Sequence, residues 1–202
     1  MKIVHVETLL SLGKFARSAE WAAIKTAVHN AIRAVDWPPG TGQFIIYPES
    51  GKKHGKGNGV KPIKSGLMAK LEKQSWKLEA HLDIATSNRP GKLDAVLVTT
   101  AGPMAIEWET GNISSSHRAL NKMALGLLKG VLIAGVLVVP TRELYKYLTD
   151  RIGNWNELVP YLDLWRSIPC KRGVLEIVVV EHDGISISVP KIPKGTDGRS
   201  RA

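Results

Sequence analysis

The chain is 202 residues long and 44% apolar, with one cysteine and a formal net charge of +10. No apolar run approaches the ~20 residues of a membrane helix, the opening residues lack the apolar core of a secretion signal, and the lone Cys170 excludes an internal disulfide framework. The expectation is a cytoplasmic protein without a membrane segment, one domain over residues 1–202 with a short polar tail from about residue 190, and a charge that suits an anionic partner.

Residues 16–36 read as an amphipathic helix, because Trp21, Ile24, Val28, Ile32 and Val35 recur at helical spacing and WPPG then stops it. QFIIY (43–47) is a short strand. From Gly51 to Lys77 there are eight lysines (Lys52, Lys53, Lys56, Lys61, Lys64, Lys70, Lys73 and Lys77) against one acid, Glu72. The stretch GKKHGKGNGVKPIK mixes these cations with glycines. That suits a loop following a phosphate backbone, and equally a solvated surface loop. It holds no Walker motif. A helix from about Pro62 to Trp76 carries Ile63, Leu67 and Leu71 on one side, with proline well placed at its start. KLEAHLDI (77–84) reads as a strand and SNRPG as a turn.

KLDAVLVTT (92–100) and MAIEWE (104–109) are strands joined by AGP, a hairpin pattern. Ser114 to Gly130 is a helix with Leu120, Met123, Ala124, Leu127 and Leu128 along one stripe. VLIAGVLVV (131–139) is apolar throughout, as a buried central strand is. TRELYKYLTD and NWNELVPYLDLW are helical, VLEIVVVEH (174–182) is a last strand, and a polar tail closes the chain. The pattern is α/β, a central mixed sheet flanked by helices.

The hairpin carries the chemistry. Glu107 and Glu109 stand two residues apart in a strand, so both carboxylates share a face. With Thr100 to Pro103 as the loop, Asp94 lies across from Glu109 and Val96 from Glu107, and any even shift of register keeps the three acids together. Carboxylates converging beside a core need a cation. Hard oxygen donors suit Mg²⁺ or Mn²⁺, and lysine or arginine partners are the alternative. Gly111 permits a turn after the strand, Asn112 and Ser114 stand at a helix start, and Arg118 follows Ser114 by one turn. Helix starts attract phosphate, and Asn and Arg read adenine and guanine in the major groove. The serines are also ordinary caps, and His117 reads as a surface or core residue.

EWETGNISSSHRALNKMALGLLKG, YLTDRIGNWNELVPYL, NGVKPIK and VPKIPKGTDGRSRA closely resemble the corresponding stretches of the BamHI-like type II restriction endonucleases. The matches run in order from about Gly57 to the C-terminus. The resemblance implies the Glu-x-Glu variant of the PD-(D/E)xK nuclease superfamily, with glutamate at 109 where many of its nucleases carry lysine. It implies a catalytic set of Asp94, Glu107, Glu109 and Glu79. Asp94 and Glu107 would be the principal ligands of Mg²⁺, with Glu79 assisting and Glu109 as general base. Mn²⁺ would substitute, and Ca²⁺ would bind without supporting cleavage.

It further implies base reading by Asn112, Ser114 and Arg118, and by Asp150 and Arg151 at the outer base pairs. Lys61 and Lys64 would contact the backbone or the edge of the active site, and Asp197 and Gly198 the minor groove. The implied target is double-stranded GGATCC, cut after the first G, and a palindrome calls for a homodimer. The helix after Asn112 would contribute its later apolar stripe to that dimer. A companion DNA methyltransferase is expected in the prokaryotic host. The longer C-terminal helix of some relatives would then be expected to have no counterpart after KGTDG. A related GATC-centred site, or a DNA-binding protein without catalysis, are the alternatives.

Overall fold

The computed structural model describes residues 1–51, 56–84, 91–149 and 152–194. In chain order its elements are β1 (Lys2–Leu12), α1 (Ala19–Arg33), β2 (Ile45–Ile46), α2 (Lys61–Glu72), β3 (Lys77–Ala80), β4 (Leu93–Thr99), β5 (Gly102–Trp108), α3 (Ile113–Leu128), β6 (Ala134–Pro140), α4 (Arg142–Tyr145), α5 (Trp155–Leu158), α6 (Leu162–Arg166), β7 (Gly173–Glu181) and β8 (Gly184–Ile185). Six strands form one sheet in the order β1-β7-β6-β5-β4-β3. β5, β6 and β7 run parallel, while β3–β4, β4–β5 and β1–β7 are antiparallel, so the sheet is mixed as the sequence implied.

Successive strand residues face opposite ways, and both faces are covered. Ile106, Val136, Val138 and Val178 pack under Val28 and Ile32 of α1 and Ile63 and Leu67 of α2. Ala105, Leu137, Val139 and Ile177 pack under Leu120, Met123 and Leu127 of α3 and Trp165 of α6. That double cover is why β6 and β7 read as unbroken apolar runs. Among the described residues, no helix is long and apolar enough to cross a membrane.

The differences from expectation have physical causes. β1 was invisible in the sequence because it is an edge strand with register shifts at Ile3/His5 and Thr8/Leu10, which break the period of two. β3 ends at Ala80, short of residue 84. The run from 141 contributes only the four residues of α4, and Pro160, within a 3₁₀ turn at Val159–Tyr161, separates α5 from α6. The hairpin turns on two residues, Thr100 and Ala101, and pairs Ala95 with Ile106 and Thr99 with Gly102. Asp94 is therefore level with Glu107, not Glu109, a shift of two that leaves all three acids on one face. On α3, Leu120, Met123, Ala124 and Leu127 are core, and only Leu128 of the stripe is substantially exposed.

Gly51 and Gly59 of the basic loop serve packing. A Cβ on Gly51 would stand 1.7 Å from the Leu148 carbonyl oxygen, and one on Gly59 would stand 1.9 Å from that of Pro193. Between them Asn58 is fully buried. Its side-chain amide donates to the carbonyls of Tyr47 (2.8 Å) and Tyr147 (2.9 Å), and its oxygen accepts from Ile192 N (3.1 Å). One side chain thus fastens this loop to the segment after α4 and to the start of the tail.

Candidate active site

The site forms where the hairpin leaves the sheet. β5 carries Glu107 within its last turns of pairing, and Glu109 N still donates to Val138 O of β6 (3.3 Å). Gly111 and Asn112 then reverse the chain into α3. Asn112 caps that helix, its side chain accepting from Ser115 N at 3.3 Å. No residue separates the acidic strand end from the helix start except this turn, so the two are rigidly joined.

Asp94 is buried on β4. One carboxylate oxygen accepts from Trp108 N (2.9 Å) and the other from Lys64 Nζ of α2 (2.5 Å). Glu107 is buried against α3, where it forms an ion pair with Lys122. Glu109 is half-buried beside a small cleft lined by Val60, Ile63, Pro140 and Leu148. Glu79 lies on β3 at the position level with Asp94, exposed, and with φ of +49°, a left-handed backbone that a residue with a Cβ seldom adopts.

Asp94, Glu107 and Glu109 share one electrostatic neighbourhood. Burial raises the Glu107 pKa to about 7, with the Asp94 and Glu109 charges adding to the rise and Lys122 opposing it. Burial, then the charge of Asp94, also pushes Glu109 up, against Lys64, Arg118 and Lys122. For Lys64, burial works against the ammonium form, but the hydrogen bond with Asp94 and the charges of Asp94, Glu107 and Glu79 outweigh it and raise its pKa. Asp94 thus acts on both Glu107 and Glu109, and Glu79 joins the set through Lys64.

The donor chemistry fits a hard divalent cation: carboxylate oxygens only, crowded enough to hold each other's protons. Yet among the described residues no three acidic, histidine or cysteine side chains are gathered to ligate one ion as they stand. Asp94 is turned to Lys64 and Glu107 to Lys122. The lysine partners that the sequence left as an alternative are thus present alongside the acid cluster.

The whole chain bears comparison with known proteins. Residues 1–199 match the family model described as restriction endonuclease BamHI. The chain belongs to the BamHI restriction endonuclease family. It is 47% identical to the type II restriction enzyme OkrAI of Oceanobacter kriegii, over 99% of both chains. It is 33% identical to the type II restriction enzyme BamHI of Bacillus amyloliquefaciens, over 98% of this chain and 89% of that one. Its fold is similar to that of restriction endonuclease BglII, solved with a DNA 16-mer, with a TM-score of 0.60 at 10% identity, covering 91% of this chain and 79% of that one. The enzyme class is type II site-specific deoxyribonuclease.

For a member of the BamHI family, the remaining sequence-derived positions fall as follows. Asn112, Ser114 and Arg118 are all exposed at the start of α3, and Arg118 lies near enough to act on Glu109. Lys61 is exposed at the first position of α2, one turn before Lys64. Asp150, Arg151, Asp197 and Gly198 lie outside the described residues. His117 packs against Tyr161 and Trp165, a core-edge role. Sequence reading missed Lys122. Its signal was slight: a lysine among the buried residues Ala119, Met123 and Gly126 of α3, in a helix that follows an acidic strand.

Proposed function

We propose that the chain catalyses divalent-metal-dependent hydrolysis of double-stranded DNA at a palindromic site, GGATCC, cut after the first G to leave 5′-GATC ends. The observation that carries this reading is the convergence of Asp94, Glu107 and Glu109 at the end of a hairpin that runs straight into α3. Asp94 and Glu107, with Glu79, are the residues that would hold Mg²⁺. When bound, that ion polarises the scissile phosphate and lowers the pKa of an attacking water.

The chain's own groups do the rest. Glu109 would take a proton from the attacking water as the water oxygen bonds to phosphorus, while the phosphorus–oxygen bond to the leaving sugar breaks and that sugar oxygen takes a proton from solvent. A carboxylate whose pKa is raised by burial is a better base near neutrality than a free one. Asn112, Ser114 and Arg118 read base edges from the start of α3, with Asp150 and Arg151 at the outer pairs. Lys61 and Lys64 hold phosphates at the rim, and Asp197 and Gly198 enter the minor groove. Because α3 grows directly out of the catalytic strand, register on the bases fixes register on the phosphate.

The palindrome calls for a homodimer. Leu128 of α3, Val159 and Tyr161 of the turn after α5, and Leu164 of α6 are exposed apolar side chains. All four belong to elements on the α3 side of the sheet, and they support a subunit contact there. A companion methyltransferase protecting the host site belongs to the same reading.

The test is a plasmid with one GGATCC site, incubated with Mg²⁺, with Ca²⁺ or with EDTA, and the ends sequenced. A single Mg²⁺-dependent cut leaving 5′-GATC is expected. Cuts at other GATC-centred sites retire the assigned readout, and specific binding without cutting retires the catalytic roles.

A further inference from the structure

We propose that Lys122 is a built-in counter-cation, a positioning residue that keeps Glu107 seated beside Asp94 and Glu109 before a divalent ion arrives. The inference rests on the metal-binding reading of those three acids. Among the described residues two lysines reach the cluster, and they differ. Lys64 comes from α2 and stays about a third exposed, 2.5 Å from Asp94. It can swing toward solvent or a phosphate. Lys122 comes from α3 with its side chain only 7% exposed, and its partner Glu107 is 4% exposed. Lys122 Nζ also donates to the Lys92 carbonyl at 2.7 Å, beside the start of β4. Its ammonium is thereby pinned between α3, the β4 entrance and the Glu107 carboxylate.

That geometry has a consequence for a site of crowded anions. Without Lys122, Glu107 is a buried anion facing two like charges, a costly arrangement. With it, the carboxylate stays in place with no metal bound. A divalent ion at the site would supply the same neutralisation from the other side. Lys122 and the ion are then partly redundant for stability, and that redundancy distinguishes a counter-cation from a lysine that merely ties α3 to Lys92.

The full-length protein, Lys122→Met and Glu107→Gln/Lys122→Met are compared by thermal unfolding in mildly alkaline EDTA buffer and across a Ca²⁺ titration. Breaking a buried pair should lower the melting temperature of Lys122→Met by about 10 °C in EDTA. Ca²⁺ should restore more than half of that loss while raising the parent protein less. The double variant, with no stranded anion, should regain most of the loss in EDTA and respond little to Ca²⁺.

Equal Ca²⁺ shifts in Lys122→Met and the parent overturn the counter-cation while leaving the metal site intact. A double variant no more stable than Lys122→Met also overturns it. If Lys122→Met does not fold, a folded double variant supports the proposal and an unfolded one overturns it. No Ca²⁺ response in any of the three, with cleavage unaffected by EDTA, removes the metal reading and this inference with it.

Discussion

Among the described residues the sheet holds two buried glutamates, and their surroundings differ in kind. Glu107 of β5 faces α3 and pairs with Lys122; Glu176 of β7 faces α1, pairs with Lys25 at 2.6 Å and accepts from the Thr8 hydroxyl at 3.1 Å. Both interrupt an apolar strand, and both meet a lysine from the covering helix. Glu107 has two further acids crowding it, and they help drive its pKa to about 7. Glu176 has a lysine and a hydroxyl in their place. One acid with one cation is a structural tie. Three acids met by Lys64 and Lys122 are the arrangement on which the proposed metal site rests.

The largest expected effect follows from that difference. Glu109→Ala should lower single-turnover cleavage by roughly 10³-fold, the range of a lost general base, with melting temperature little changed. Glu176→Gln should do the reverse, lowering the melting temperature while leaving cleavage within a few-fold. Cleavage that follows Glu176 as steeply as Glu109 would erase the distinction between tie and site.

A second expectation concerns pH. The native Glu107 pKa is raised above its ordinary 4.5, so the folded state holds this proton more tightly than the unfolded chain. The stability it contributes is fully present below about pH 4.5 and is lost as pH rises through about 7. The rise corresponds to at most about 3 kcal/mol. Glu7, Glu49, Glu181 and Asp183, whose pKa values are lowered, slope the other way at acid pH. Urea unfolding of the parent and of Glu107→Gln in EDTA isolates the contribution: the difference between them should shift between pH 5 and 8 and be flat above. Cleavage, which needs the ionised carboxylate, should climb over the same interval.

What the sequence showed of this site follows from parity. Residues 94, 107 and 109 stay on one face through any even register error, so a misjudged turn at Thr100 did not scatter them. The fold was readable where burial is two-sided, in β6 and β7, and at helix ends with chemical punctuation such as Pro62 and Asn112. β1 was not readable, because an edge strand with bulges has no clean period. Nor were the cations. Which of 28 lysines and arginines meets Glu107 is decided by how α3 lies across the sheet, and a lysine one residue before Met123 looks like the flank of an apolar stripe. Glu176 shows the complement: an acid in an apolar strand is not by itself a site.

Lys25→Met should cost less than Lys122→Met, about 1–3 kcal/mol, because Lys25 is a third exposed, Glu176 keeps the Thr8 hydroxyl as a donor, and no further acid crowds it as Asp94 and Glu109 crowd Glu107. Chemical denaturation measures it, and Ca²⁺ should restore none of the loss. A Ca²⁺ rescue here would mean that the ion acts on the whole fold and not on the acid cluster, and the contrast between the two pairs would fail.

The smallest effect is expected at the far end of the β4–β5 hairpin. Its turn is held to α1 by Glu20, which accepts from Thr100 N at 2.9 Å and from the Thr100 hydroxyl, on an exposed surface. Thr100→Ala removes the hydroxyl contact and should leave the melting temperature almost unchanged. The turn stands roughly 20 Å along the strand from Glu107. Between them β5 is paired to β4 from Gly102 to Ile106 and to β6 from Met104 to Trp108, so each of its residues is held on at least one side. A strand so held does not transmit a loosened tip to its other end, so the cleavage rate should match the parent. A rate that fell with Thr100→Ala, at unchanged melting temperature, would mean that the hairpin pivots as a lever, and that Glu107 is seated by the turn as much as by Lys122.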